Sequence, residues 1–209
     1  MSAVDAGAPR SREDGPVSSL LEEVVLDLER HSAQEGWDAP PKLYALVRSS
    51  ELRRAEPDLA DRLGLAPDVE TLAALEQDRL PDRGTVEESL AAIAWPDAVE
   101  GCALVIERMV LPPEAEQDIP EDEAEAAAWA AEHPDREDVR MVVGVLRDGT
   151  RHSALRLRRH DNDDEVLVGP DLVPGLADAL VATFEPDVEP DAAPDAAGSD
   201  AEPGAADPA

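Results

Sequence analysis

The sequence predicts a single α+β domain with a mainly antiparallel sheet and helices packed on it. Three observations carry that expectation. Residues 139–158 read as a β-hairpin around Arg147-Asp148-Gly149. Residues 101–111 (GCALVIERMVL) are apolar on both faces, as a central strand covered on both sides would be. Helical patterns occur singly among the strands, without the strict strand–helix alternation of a parallel sheet.

Each element has a local reason. Val17, Leu20, Leu21, Val24, Leu28 and His31 fall on one helical face, and Gly36 is a natural stop, so a helix is expected over 17–35. Pro40-Pro41 forces an extended entry into the apolar run Leu43–Val47, a short strand. Residues 50–63 read as two helical turns broken at Pro57, and Thr71–Leu75 as a second short strand. Thr85 and Glu88 have capping-box spacing, opening a helix whose stripe is Val86, Leu90 and Ile93 and which Pro96 ends. An Ala-rich helix follows over 121–132, with Pro120 at its start, acids in its first turn and Trp129 as its one large side chain.

The hairpin's register follows from parity. A two-residue Asp-Gly loop would set Met141 against Arg156 and mix core with charge. A three-residue loop with Gly149 left-handed pairs odd positions with odd. Val139, Met141, Val143, Val145, Leu155 and Leu157 then share one face, and Arg140, His152, Arg156 and Arg158 the other, outer one. A last helix is expected at about 174–184, with Val173, Leu176, Leu180 and Phe184 facing inward.

Composition bounds the function classes. The 209 residues hold 49 acids against 18 Lys and Arg, a formal charge of −31. That balance argues against direct nucleic-acid binding, which needs clustered cations. No stretch is apolar enough to cross a membrane, and the N-terminus lacks the basic flank and apolar core of a secretory signal. The single cysteine, Cys102, cannot form an intrachain disulfide, which suits a cytoplasmic setting. It lies in an apolar strand and reads as a buried structural thiol. Residues 185–209 carry eight acids, no base and five prolines, a disordered acidic tail. Residues 1–15 lack apolar periodicity and read as a flexible arm, leaving 16–184 as the domain.

Signatures of catalysis are missing. There is no GxGxxG, GxxxxGKS/T, HExxH, GxSxG or CxxC, and the four histidines lie on separate elements without metal-ligand spacing. No metal and no cofactor is expected. Residues 161–165 are acid-rich, but Val166 and Leu172 stand where a calcium loop needs Gly and Glu, so a solvated acidic turn is the better reading. Trp37, Trp95 and Trp129 each sit beside a turn or helix end and read as packing residues, with a binding surface as the lesser alternative for Trp37 and Trp95.

One local anomaly stands out. Residues 138–160 carry six arginines against two acids inside a strongly acidic chain. Arg140, Arg156, Arg158 and His152 on the hairpin, with Glu107 on the neighbouring strand, form the candidate binding surface. Arginine forks match carboxylates and phosphates, so the surface suits an anion or a protein partner. Internal pairing with the protein's own acids, for example Asp138 opposite Arg158, is the competing expectation.

Beyond these patterns, the strings GWDAPPKLYALV (36–47), EQDRLP (76–81), IAWPDAVEGCALVIERMVLPPEAE (93–116), EHPDREDVRMVVGVLRDG (132–149) and LVPGLADAL (172–180) resemble an uncharacterised family of small acidic actinobacterial proteins. The resemblance covers about residues 17–184. It implies a cytosolic protein of one domain from a GC-rich genome, and brings no activity and no catalytic residues.

The leading functional expectation is a non-enzymatic protein-interaction or regulatory module, with a protein partner or a homodimer. An anion- or small-ligand-binding domain using the arginine face is the alternative, followed by an enzyme of unidentified class. Mimicry of nucleic acid by the acidic surface has only the charge behind it.

Overall fold

Helix α1 spans Pro16–Glu35 and β1 spans Lys42–Arg48 in this computed structural model, which describes residues 16–185 apart from Asp82. The expected N-terminal arm and nearly all of the expected tail lie outside the described residues. The chain continues through α2 (Ser49–Ala55), α3 (Pro57–Arg62), β2 (Leu72–Glu76), α4 (Val86–Leu90), β3 (Gly101–Val110), α5 (Glu123–Glu132), β4 (Glu137–Leu146), β5 (Arg151–Leu157), β6 (Leu167–Gly169) and α6 (Pro174–Ala182). Short 3-10 turns lie at 113–118, 158–160 and 163–165.

The six strands form one sheet in the order β2-β1-β3-β4-β5-β6, with every neighbouring pair antiparallel. The fold is therefore the expected single α+β domain. The hairpin register follows parity: Val139 opposes Leu157, Met141 opposes Leu155, and Gly149 is left-handed at φ 84°. Strand β3 sits inside the sheet with its first six residues buried. Its partner β1 reaches only Gly101–Val105, so residues 106–110 pair with β4 alone and extend past the body of the sheet.

Helices cover both faces. On one, Leu21, Val24, Val25 and Leu28 of α1 pack on Tyr44, Leu46, Ala103, Val105, Val142 and Ala154. On the other, Leu176, Ala177 and Leu180 of α6 and Leu90 of α4 pack on Cys102, Leu104, Met141 and Val143. Further along that second face Leu52 of α2 packs with Ala45, Val47 and Ala73. Burial pushes the Cys102 thiol up to about 12, the inert state expected of a packed cysteine.

Several elements differ from expectation. The capping box at α4 is complete, Glu88 N donating to Thr85 Oγ1 at 3.1 Å and Thr85 N to Glu88 Oε2 at 2.9 Å. Yet the helix stops at Leu90, and the chain turns so that Ile93 and Trp95 both reach the α6-side cluster. Helix α5 begins after Asp122, whose carboxylate accepts from Ala124 N and Glu125 N, rather than at Pro120. His31 is exposed instead of inward. The buried face of α1 continues through Glu29 and Ser32, at the helical spacing set by Leu21 and Val25. Strand β6 was not expected at all.

Close approach of α1 to the sheet depends on Gly144. A Cβ there would lie 2.7 Å from Val25 Cγ2 and 3.0 Å from Leu21 Cδ1. Gly144→Ala is expected to push α1 outward and destabilise the fold by about 1–3 kcal/mol in urea unfolding. An unchanged midpoint would show that the helix yields freely.

Candidate functional site

Strand parity places the hairpin's charged residues together. Glu107 on β3 opposes Arg140 on β4, and Arg140 opposes Arg156 on β5. The three side chains form a row across the sheet on the face that α1 covers. The face expected to be outer is thus roofed by a helix, because Leu21, Val24, Val25 and Leu28 need the apolar even positions beside those arginines.

Two adjacent arginines on one face repel unless carboxylates divide them. Arg140 is 1% exposed and takes Glu107: Nε and Nη2 donate to Oε1 at 3.1 and 2.9 Å. Its Nη2 also donates to the Gly36 carbonyl at the end of α1. Arg156 is 2% exposed and takes Glu29, itself 2% exposed, in a two-pronged contact of 2.6 and 2.8 Å. Two further acids complete Arg156: Asp161 at 3.2 Å on Nη1 and Asp163 at 2.7 Å on Nη2. The hydrogen bonds to Glu29, and after them the one to Asp163, raise its already high pKa further against the opposing effect of burial.

Trp37 closes the site. Its ring lies 4.3 Å from the Arg140 guanidinium carbon and 5.4 Å from that of Arg158, and its indole N–H donates to Asp161 Oδ2 at 3.0 Å. Left-handed backbone at Gly36 (φ 92°) and Asp38 (φ 67°) turns the chain on either side of it. Asp38 N donates to Glu107 Oε2 at 2.7 Å, and the Asp38 carboxylate takes both Nη atoms of Arg158 at 2.8 Å. That contact holds the Asp38 carboxyl below the usual range. Asp138 lies 3.6 Å from Arg158 on the other side, the pairing anticipated from sequence.

The remaining hairpin arginines are engaged as well. Arg147 donates to the carbonyls of Trp95, Pro96 and Val99, and stacks 4.7 Å over Phe184. Arg151 contacts Asp178 at 2.9 Å and Asp171 at 3.5 Å, and Arg159 contacts Glu137. All six arginines of 138–160 therefore have partners within the chain. The structure brings Arg140, Arg156, Arg158 and Glu107 into one network. His152 stands apart, lining with Arg151 a cavity of about 370 Å³ beside Ser18 and Ser19 in the first turn of α1.

Sequence reasoning missed Glu29, whose position on a charged helix gives no signal until the sheet supplies a buried arginine. Asp161 and Asp163 were seen only as a solvated turn. Their nearness in sequence to Arg156, five and seven residues on, was the available clue. Trp37 does pack, but against cations rather than in the apolar core.

Fold and site together define an α+β domain whose concentrated basic side chains are engaged by partners within the chain. The chain belongs to the PPA1309-like protein family, whose model matches residues 21–185. No curated protein and no solved structure matches the chain. The family identification agrees with the resemblance read from sequence.

Two outcomes follow. Arg156→Ala leaves Glu29 buried without its partner and should cost about 3–5 kcal/mol in denaturant unfolding, while the double change Glu29→Leu with Arg156→Met should recover most of that loss. A double variant as weak as the single one would rule out an uncompensated charge as the cause. The indole N–H of Trp37 lowers the Asp161 pKa more than burial raises it, and Arg156 adds to the lowering. A lowered folded pKa means Asp161 adds stability in full above its unfolded value, about 3.9, and loses it as pH falls through the folded one. Asp161→Asn should flatten the stability profile in that acid window, and an unaltered profile would contradict the assignment.

Proposed function

We propose that this domain is a non-enzymatic protein-interaction module, and that its contact arm runs from the end of β3 through α5. The observation that carries this is the isolation of α5. None of its described side chains is buried, and none joins the three apolar clusters. A ten-residue helix is marginal alone in water, because nucleation is costly and most helical stability comes from packing one face.

The arm also exposes apolar groups. Met109, Val110 and Ile119 are 41%, 36% and 43% exposed. On α5, Ala126, Trp129 and Ala130 lie on one stripe and are half-buried, with the Trp129 ring edge-on to His133 at 4.9 Å. A lone tryptophan on an Ala-rich face is a common anchor of helix-in-groove recognition. Residues 114–135 carry nine acids and no Lys or Arg. The partner that fits is a protein with an apolar cleft rimmed by basic side chains.

The engaged arginines support the same reading. An external anion at Arg156 would have to displace the buried Glu29 carboxylate, which disfavours the ligand-binding alternative at that position. Among the described residues no helix is long and apolar enough to cross a membrane. We place the module in the cytosol on the strength of its acidity and single buried thiol.

Trp129→Ala tests the arm. Because the ring lies outside the core, stability should change by no more than about 0.5 kcal/mol, far below the ~3–5 kcal/mol of a core Trp→Ala. A photo-crosslinker placed at Ala126 of the full chain should capture a basic protein, with yield falling steeply as salt rises and on Trp129→Ala. Destabilisation of core size, or capture indifferent to both salt and Trp129, would sink the proposal.

A further inference from the structure

Two buried polar atoms near the arginine network have no hydrogen-bond partner among the described residues: Arg140 Nη1 and Ser32 Oγ. Arg140 is 1% exposed and Ser32 5%. Both residues line one small cavity between the C-terminal half of α1 and the sheet. The rest of its wall is Ala39, Pro40, Val105 and Ile106, with the Glu35–Lys42 ion pair and Glu107. Buried donors are satisfied in the great majority of native structures, so an unpartnered guanidinium N–H on an arginine that lines a cavity marks a binding position.

The size of the cavity restricts what it takes. It offers room of about 10 Å³ for the centre of a water-sized sphere, close to one water molecule and no more. Charge restricts it further. Arg140 and Lys42 line it, but so do Glu107 and Glu35, and each cation is already paired, at 2.9 and 2.7 Å. An anion would sit between two carboxylates with no cation left to neutralise it. A cation would face an arginine N–H. A neutral molecule that both accepts and donates meets neither penalty.

We infer that this cavity is a binding site for one water molecule, which accepts from Arg140 Nη1 and is hydrogen-bonded to Ser32 Oγ. Its remaining hydrogens reach the carboxylates of the wall, giving the two to four partners that a buried water needs. The water is thus a structural member of the α1–sheet interface, joining the helix residue Ser32 to the strand residue Arg140. The Glu35–Lys42 pair stands at the boundary of the same cavity.

Crystals of the full chain grown with sodium bromide and measured to about 1.5 Å test this directly. The expected result is one density peak at 2.7–3.2 Å from both Arg140 Nη1 and Ser32 Oγ, without anomalous signal. A bromide anomalous peak at that position, or no peak bonded to both atoms, would overturn it. Oxygen-17 relaxation dispersion provides a second reading in solution. Ser32→Val fills the cavity and removes one partner, so it should lose one long-lived water relative to wild type. Equal numbers in folded wild type and variant would likewise overturn the assignment.

Discussion

The contact between Glu29 and Arg156 governs how the rest of the domain is put together. It joins the middle of α1 to β5 over a sequence separation of 127 residues, with both side chains 2% exposed. A buried ion pair yields little net stability, since removing two charges from water costs roughly what their attraction returns. Its effect here is geometric. An arginine at an even position of β5 admits only one rotation and one height of the helix above it, because any other leaves a charge without a partner. The apolar stripe of α1 alone would tolerate sliding. The ion pair does not.

From that pairing the remaining contacts follow. Once Arg156 is fixed, Asp161 and Asp163 fold back from the loop after β5, and Asp161 receives the Trp37 indole. Trp37 then lies over Arg140, whose other edge is held by Glu107 and by the carbonyl of Gly36. Helix end, loop and three strands are closed by one chain of charge-assisted contacts. Of the six arginines of 138–160, Arg140 and Arg156 are buried, each against a carboxylate, while Arg158 and Arg159 stay at the surface with theirs. Each such pair takes up an acid along with an arginine, so the net charge stays at the formal −31.

Much of this architecture was legible in the residues. Parity fixed the hairpin, because only odd-with-odd pairing keeps Met141 away from Arg156. Pro40-Pro41, Pro57 and the Thr85–Glu88 capping box located the starts of β1, α3 and α4, whereas Pro96 and Pro120 did not mark the helix ends read from them. What was not legible has a common cause: it depends on contacts between distant segments. Glu29 looks like any acid on a solvated helix until a strand places an arginine beneath it. The three residues of β6 are too few for any period to be read, and they become a strand only because β5 offers an open edge. Helix α5 was legible as a helix, but nothing in its own pattern tells that its described side chains stay out of the three apolar clusters. Arg140, Arg156, Arg158 and Glu107 do share one face of the sheet, while the roof of α1 over it was not foreseen. Gly144 gave a hint of it, since a glycine amid Val142, Val143 and Val145 marks a place where another backbone comes close.

Strand β6 also determines how the sheet ends. It leaves Leu167 and Val168 53% and 46% exposed on a border with unpaired backbone, the kind of edge on which sheets of separate molecules join. Here that border is three residues long, preceded by the acid-rich turn at 161–165 and followed at once by Pro170. Another strand approaching it would find too short a ladder, a proline lacking its amide hydrogen, and a rank of carboxylates repelling any acidic copy of the same chain. The acids that complete Arg156 inside the domain belong to the turn that keeps its open border from sticking to its neighbours.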